Sequence, residues 1–102
     1  MSAYLIVDVT GIHDPEAYER YKKQVSPGMV AAGGRYLARG GAIDVLEGEW
    51  RPNRLVLVRF DTAGDARRWW ESEDYAPMRQ LRQSSTHCNM LIVNGCSEGQ
   101  VP

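Results

Sequence analysis

Strand and helix patterns follow one another in a definite order along this chain, and that order constrains its fold more than any other feature. Apolar runs of strand length predict strands over residues 3–10, 54–61 and 88–95. The segment RYLAR, residues 35–39, lies between two glycine pairs and predicts a fourth strand. We expect a bulge or a bend in this edge strand at the second pair, after which the strand continues through 42–50.

Helical spacing of apolar residues follows the first and the third of these strands. Asp14 is the predicted N-cap of the first helix and Pro15 its first residue, and the first glycine pair is expected to end it. Pro27 is expected to kink or restart this helix. The second helical region covers 62–72, where Thr62 with Asp65 resembles a capping box, and a further short helix covers 74–83. The order is therefore β-α-β-β-α-β.

Two strand-helix-strand units in succession predict an α+β fold with a four-stranded antiparallel sheet. Because such crossovers are right-handed, both helical regions lie on one face of the sheet and the other face is left bare. We expect residues 1–96 to form this single domain and residues 97–102 to be a flexible C-terminal tail.

The composition excludes several classes of protein. With 102 residues, of which 43% are hydrophobic and 25% charged, the chain fits one soluble globular domain. Its net charge is -1 and its basic residues are dispersed, so no nucleic-acid partner is expected. The apolar runs are too short to cross a membrane, and the start MSAYLIVDV lacks the basic region of a secretory signal. We expect a cytoplasmic protein without a membrane partner.

Alternation along each strand divides the sheet into a face beneath the helices and an opposite face, which we call the open face. We assign the wholly apolar sets to the helix side: Leu5, Val7, Val9, Val56, Val58, Phe60, Leu91 and Val93. The open face then carries Tyr4, Ile6, Asp8, Leu55, Leu57, Arg59, Met90, Ile92 and Asn94. We assign Arg35, Leu37 and Arg39 to the open face too, because two arginines are costly beneath helices.

The open face assigned in this way has too many apolar side chains to remain in contact with water. Its simplest cover is the same face of a second copy, which predicts a homodimer with a partly enclosed cavity between two sheets. Asp8, Arg39 and Arg59 would line or rim that cavity.

Several segments, in a particular order, resemble the family known as domain of unknown function 1330. They are YLIVDV, DPEAYERY, GGRYLARGG, LEGEWRPNRLVLVRF, DARRWWES and DYAPMRQLR, and they span about Ala3 to Gly95. The resemblance implies a ferredoxin-like fold of the dimeric α+β barrel type, in a superfamily that includes cofactor-free monooxygenases, lactone isomerases and haem-degrading enzymes. The family itself implies no particular activity, and it implies a ligand cavity only by analogy.

Asp8, Arg39 and Arg59 form the first candidate site. Two guanidinium groups and a carboxylate around an apolar cavity can bind and orient an organic acid. Tyr4 and Asn94 are the further ligand-binding candidates on the same face. The alternative interpretation is that these charges form ion pairs between strands or between subunits, without any ligand.

His13 and His87 form the second candidate site, because they meet at one end of the sheet if the first and last strands are antiparallel neighbours. With Cys88 or Asp14 they could bind a metal or act as an acid and a base. Neither histidine belongs to a short motif such as HxH or HExxH, so we predict no metal and no cofactor. Cys88 and Cys96 are too far apart along one strand to form a disulfide.

The leading hypothesis is a homodimer that binds a small acidic or aromatic metabolite between its sheets. Family-level analogy adds a cofactor-free monooxygenase or isomerase, in which arginines stabilise an enolate or carboxylate and Asp8 or a histidine moves a proton. The third possibility is a non-catalytic dimerisation module whose charges are structural.

Overall fold

The computed structural model describes residues 1–96, and the tail predicted over 97–102 lies outside the described residues. The elements in chain order are β1 (Ala3–Ile12), α1 (Pro15–Ala31), β2 (Arg35–Arg39), β3 (Arg54–Phe60), α2 (Ala63–Glu71), α3 (Ala76–Ser85) and β4 (Thr86–Asn94). The predicted order is confirmed, with the second helical region divided into α2 and α3.

The four strands form an antiparallel sheet in the order β2-β3-β1-β4. α1 and α2 pack on one face, where their buried side chains join those of β1 and β3 in one core. The molecule is two layers thick, and its shortest extent is 17 Å. The predicted α+β architecture with helices on one face of a four-stranded sheet is therefore confirmed.

The helices α1 and α2 begin at their predicted N-caps. Asp14 Oδ1 accepts a hydrogen bond from the backbone N–H of Ala17 at 3.2 Å, and Thr62 Oγ1 accepts one from Asp65 N–H at 3.0 Å. These bonds satisfy donors that a helix start otherwise leaves unpaired.

Among the described residues, no helix is both long and apolar enough to cross a membrane.

Pro27 does not restart the helix, because α1 continues through this residue to Ala31. Buried positions on both sides of it, Val25 and Met29, belong to one apolar stripe on the sheet. Tertiary packing of that stripe keeps the helix continuous although the proline cannot donate a backbone hydrogen bond.

The first glycine pair ends α1 as predicted. Gly33 N–H donates to Val30 O at 3.0 Å and Gly34 N–H donates to Met29 O at 2.9 Å, which is the Schellman arrangement. Gly33 has a φ of 98°, a conformation that a residue with a Cβ rarely adopts.

The core lies between the helices and the sheet. Phe60, Leu5 and Val58 are among its most deeply buried side chains, and each such burial stabilises the fold by about 1.5–3 kcal/mol. Trp69 packs against Tyr75 with ring centroids 4.0 Å apart. The helix-side positions predicted for β1 and β3 are confirmed.

β4 has the opposite phase from the one predicted. Met90 and Ile92 lie opposite helix-side residues of β1 and pack against the core, so Leu91 and Val93 lie on the open face. By the same alternation Asn94 belongs to the helix side and not to the open face. Residues 90–93 of β4 are apolar on both faces, and only the pairing with β1 selects between the two sets.

β2 contains a bulge that alternation does not reveal. Tyr36 pairs with Val58 and Arg39 pairs with Val56, while Leu37 is an extra residue between the two registers. The bulge shifts the phase of the strand, so Arg39 joins Tyr36 on the helix side. The assignment of Arg39 to the open face is therefore wrong.

Residues 40–53, which we call the strap, form an irregular connection where the sequence predicts a strand that continues to residue 50. Gly40 ends β2 with a φ of 73°, and its N–H donates to Leu55 O at 2.9 Å. The second glycine pair, where a bulge or a bend was predicted, is thus a strand end, and the observed bulge lies at Leu37, three residues before Gly40.

Candidate functional site

The open face of the sheet is largely apolar and only partly covered. Its residues are Tyr4, Ile6 and Asp8 of β1, Leu55, Leu57 and Arg59 of β3, Arg35 of β2, and Asn89, Leu91 and Val93 of β4. Leu91 is 52% exposed, and Val93 is exposed as well. Such a contiguous patch is typical of a binding or association surface.

Among the described residues of this face Asp8 is the one acidic side chain, and it is only 8% exposed. Its Oδ2 accepts a hydrogen bond from Trp50 Nε1 at 3.0 Å. Its Oδ1 is buried and has no hydrogen-bond partner within the described residues. An unpaired buried acceptor lowers the free energy of unfolding by about 1–3 kcal/mol. This oxygen therefore destabilises the fold, and it is a candidate functional group for the same reason.

The strap supplies the cover for Asp8. Trp50 reaches the carboxylate through its indole N–H, but the residue remains 61% exposed, and Leu46 is 91% exposed. Irregular connections longer than about a dozen residues are commonly binding loops or lids. The sequence analysis did not identify Trp50 as a site residue, because it assigned this region to a strand and a loop. The available signal was a tryptophan in a segment that contains several glycines.

Arg59 and Arg35 are the cations of the open face, and they lie opposite each other in the register of β2 and β3. Arg59 also lies opposite Tyr4 on β1, and its Nε and Nη2 donate to Ser2 Oγ at 3.0 and 2.7 Å. Within residues 1–96 neither arginine has a carboxylate at ion-pair distance. The ion pairs proposed as the alternative interpretation are therefore not formed within one described chain.

Arg39 is separated from Asp8 by the sheet itself. Its Nη1 donates to Ser26 Oγ and its Nη2 to Lys22 O, both at 2.7 Å, and its guanidinium lies 4.4 Å from the ring centre of Tyr36. These contacts join β2 to α1. Asp8 and Arg59 thus share a face with Tyr4, while Arg39 and Asn94 do not.

His13 and His87 lie together at one end of the sheet, as predicted: His13 directly follows β1, and His87 is the second residue of β4. Their ring centroids are 5.0 Å apart in an edge-on arrangement, and His13 Nε2 lies 3.0 Å from Ser84 O. Since a carbonyl only accepts, Nε2 carries the proton in this contact. In the part of the chain described, no group of three potential ligands could hold a metal ion, and Cys88 and Cys96 are free thiols.

A buried polar cluster lies on the helix side, away from the open face. The hydroxyl groups of Tyr21 and Tyr75 are 2.9 Å apart, and Arg82 Nε donates to Tyr75 Oη at 3.2 Å. Burial raises the pKa of the Tyr21 phenol far above its ordinary value, and its interaction with Tyr75 raises it further. An adjoining core cavity of about 30 Å³ is large enough for water only.

Two larger grooves also lie beside the helices. One, of about 400 Å³, runs between the end of α1 and the α2-α3 pair, and includes Gly28, Asp74 and Met78. The other, of about 380 Å³, lies between α2 and the β4 edge and includes Trp70 and Ile92. Neither groove contains Asp8 or Arg59, so neither is the predicted cavity between two sheets, which requires two open faces.

The chain matches the model of a family described as Domain of unknown function (DUF1330) over residues 2–96. No curated protein matches it. The solved structure of RPA0582, a protein of unknown function from Rhodopseudomonas palustris, is 13% identical with a TM-score of 0.76, covering 94% of this chain and 83% of that one.

Two further solved structures share the fold. A variant of SnoaB, a cofactor-independent oxygenase from Streptomyces nogalater, is 8% identical with a TM-score of 0.67 and 94% coverage of both chains. An ethyl tert-butyl ether d (ethd) family protein from Bacillus halodurans is 14% identical with a TM-score of 0.67, covering 94% of this chain and all of that one. At these identities the likeness establishes the ferredoxin-like fold and nothing finer.

Proposed function

The chain belongs to the family described as Domain of unknown function (DUF1330), and from that premise we propose that it is a homodimer whose open faces enclose a small organic molecule. The observation that carries the proposal is Asp8, a buried carboxylate in a largely apolar sheet face, one oxygen of which has no hydrogen-bond partner among the described residues. A polar group in such a position is typical of the few directing groups of a ligand pocket.

We expect a second copy of the chain to cover the open face, because of the two-layer shape of one chain and its exposed apolar side chains. In the described part of the chain, which is two layers and 17 Å thick, the helices lie on one face of the sheet and none covers the other. Apolar side chains on that face and on the strap, such as Leu91 and Leu46, are left in contact with water. Self-association of this face buries both sets in a symmetric interface.

The ligand is an acidic or aromatic metabolite, held by Asp8, Tyr4 and Arg59. Arg59 reaches Ser2 through Nε and Nη2, so its Nη1 has no partner among the described side chains and can donate to an oxygen of the ligand. Arg39 is no longer part of this site because its guanidinium is engaged on α1.

A cofactor-free oxygenase or isomerase is the second candidate, favoured by the shared fold with SnoaB and by a buried carboxylate in the same face. Asp8 would accept a proton from the ligand, and Arg59 would stabilise the resulting anion; in the oxygenase, molecular oxygen would be the oxidant. Oxygen uptake in the presence of a bound ligand, lost in Asp8→Asn, tests the oxygenase. An isomerase would instead change the ligand without consuming oxygen.

The dimer is tested by light scattering at micromolar concentration. We expect wild type to have twice the mass of one chain and Leu91→Glu, on the open face, to be monomeric. Val30→Glu is the matched control, because Val30 is 60% exposed but lies on α1. A monomeric wild-type protein would contradict the proposal.

Ligand binding is tested by thermal denaturation in the presence of aromatic and dicarboxylic acids. We expect at least one compound to raise the melting temperature of wild type and to lose that effect in Arg59→Ala, while Arg39→Ala retains it. If the dimer forms and no compound stabilises it, the non-catalytic dimerisation module becomes the better interpretation.

A further inference from the structure

Three cationic side chains come together on the helix side, where α1 meets the end of β2 and the start of β3. Arg39 pairs with Val56, so Arg39 and Arg54 are diagonal neighbours across the two strands. Lys22 belongs to α1, and its backbone carbonyl accepts a hydrogen bond from Arg39 at 2.7 Å. All three side chains line the core cavity of about 30 Å³, and all three are in contact with water. We call Lys22, Arg39 and Arg54 the cationic mouth.

The carboxylates nearby do not balance the charge of the cationic mouth. Lys22 Nζ lies 2.6 Å from Glu19 Oε1, but within residues 1–96 neither Arg39 nor Arg54 has a carboxylate at ion-pair distance. The hydrogen bond with Lys22 lowers the pKa of the Glu19 carboxyl, and the charge of Arg54 lowers it further. Three cations and one carboxylate leave a net charge of about +2 in a small region, which a bound anion would stabilise.

Arg54 supplies the free hydrogen-bond donors of the cationic mouth. Its Nε donates to Tyr18 Oη at 2.9 Å, while its Nη1 and Nη2 make no hydrogen bond within residues 1–96. The guanidinium lies against the backbone of Gly40, where a Cβ would overlap Nη1. Lys22 Nζ and Arg54 Cζ lie 5.4 and 5.8 Å from the ring centre of Tyr18. A guanidinium held through Nε presents its two Nη atoms to one oxyanion.

Size and charge select the class of anion. The core cavity behind the cationic mouth is large enough for water only, so the anion lies outside it, against the guanidinium and ammonium groups that water reaches. A carboxylate group carries one negative charge, whereas a phosphate group carries about 1.5–2 in one compact tetrahedron. The phosphate group therefore matches the excess charge of the cationic mouth more closely.

We propose that the cationic mouth binds a doubly charged phosphate group, free or part of a small molecule, through Arg54 Nη1 and Nη2 and Lys22 Nζ. Arg39 adds its charge, while its own Nη atoms stay bonded to α1. Tyr18 and Gly40 are positioning residues, because one holds Arg54 Nε and the other leaves room for Nη1. The site lies on the opposite side of the sheet from the open face, so it does not depend on the homodimer.

The test is a titration of isotopically labelled protein with inorganic phosphate, followed by NMR at constant ionic strength and about pH 8. The backbone amide of Gly40, beside Arg54, reports on the cationic mouth. The backbone amide of Gly95 donates to Ser2 O and reports on the Arg59 end of the open face. Acetate and chloride are the singly charged probes, and glycerol 1-phosphate is the phosphate ester.

We expect phosphate to move the Gly40 signal and not the Gly95 signal, and to bind about tenfold more tightly than acetate. Arg54→Gln should weaken phosphate binding about tenfold to a hundredfold, the range for a hydrogen bond between charged groups. Arg54→Lys, which keeps the charge but loses the fork, should weaken it several-fold. Arg67→Gln, which removes an exposed arginine on α2, is the matched control and should bind phosphate as wild type does.

The contrary outcomes are specific. Equal binding of phosphate and acetate, or wild-type affinity in Arg54→Lys, would indicate diffuse attraction and overturn the proposal. Movement of the Gly95 signal alone would place phosphate at Arg59 and overturn it too. Tighter binding of glycerol 1-phosphate than of inorganic phosphate supports a phosphorylated small molecule as the ligand, and weaker binding supports free phosphate. If Arg54→Gln does not fold, the wild-type anion series and Arg54→Lys decide.

Discussion

Tyr21 shows how one buried side chain links the fold to pH. It shares a hydrogen bond with Tyr75, which in turn accepts one from Arg82, and all three are buried. Burial raises the pKa of the Tyr21 phenol above its ordinary value near 10. The folded chain therefore retains a proton that the unfolded chain releases at high pH.

We expect the free energy of unfolding to lose a Tyr21 contribution above about pH 10, at about 1.4 kcal/mol per pH unit. The contribution is fully present below the pKa of the unfolded phenol, because both states are then protonated. Urea unfolding between pH 8 and pH 11 measures the slope, and Tyr21→Phe should make it shallower. An unchanged slope in Tyr21→Phe would show that other groups cause the loss.

Arg39 is the residue whose role changed most between sequence and structure. We expect Arg39→Ala to lower the free energy of unfolding by about 1 kcal/mol, because two hydrogen bonds between β2 and α1 are lost. Arg39→Lys should restore little of it, since one ammonium cannot repeat the guanidinium fork. Chemical denaturation measures both variants, and Arg35→Ala on the same strand is the control, expected within about 0.5 kcal/mol of wild type.

At the scale of the elements, the turn after α1 and the bulge in β2 decide which way side chains point. The Schellman turn at Gly33 directs the chain out of α1 into β2, and the extra residue Leu37 then exchanges the two faces. Gly40 ends β2, and the strap that begins there leads to the open face, where Trp50 contacts Asp8. The strap, a candidate binding loop, thus follows directly after a strand whose Arg39 contacts α1 on the helix side.

Two glycine substitutions within one helix and its cap should have opposite signs. We expect Gly33→Ala to destabilise the protein by about 1 kcal/mol, because its φ is 98°. Gly28→Ala should stabilise it by about 0.5–1 kcal/mol, since the residue is helical and a Cβ there would meet no atom within 4 Å. Thermal and urea unfolding provide the comparison, and the same sign for both would contradict this account.

At the scale of the whole molecule, one sheet face carries the core and the other carries the candidate site. The core and the candidate site use different residues of the same strands, because helix-side and open-face side chains alternate along each strand. β1 supplies Leu5 and Val7 to the core and Asp8 to the site. Association of two copies would therefore leave the core of each chain unchanged.

If the open faces associate, stability depends on protein concentration. We expect the melting temperature of wild type to rise as the protein concentration increases from about 1 to 100 μM, because mass action favours the folded dimer. Each tenfold increase in concentration should stabilise the dimer against unfolding by about 1.4 kcal/mol. Differential scanning calorimetry measures the rise. Leu91→Glu should show no dependence, Val30→Glu should behave as wild type, and a flat wild-type series would argue against the shared interface.

The sequence by itself determined the order of the elements, the N-caps at Asp14 and Thr62, the glycine stop after α1, and the two faces of β1 and β3. These features depend on local chemistry or on strands in which one set of side chains is wholly apolar and the other contains a charge, as with Asp8 and Arg59. The proximity of His13 and His87 also followed, because antiparallel neighbours bring their ends together.

Only the tertiary structure decided the phase of β4, the side of Arg39, and the contact between Trp50 and Asp8. β4 is apolar on both faces, so its pattern is the same in either register. The bulge at Leu37 appears in the pairing with β3, and the strap reaches the sheet through the hydrogen bond from Trp50 to Asp8. Each of these depends on contacts between residues distant in sequence, whose free energies no local pattern contains.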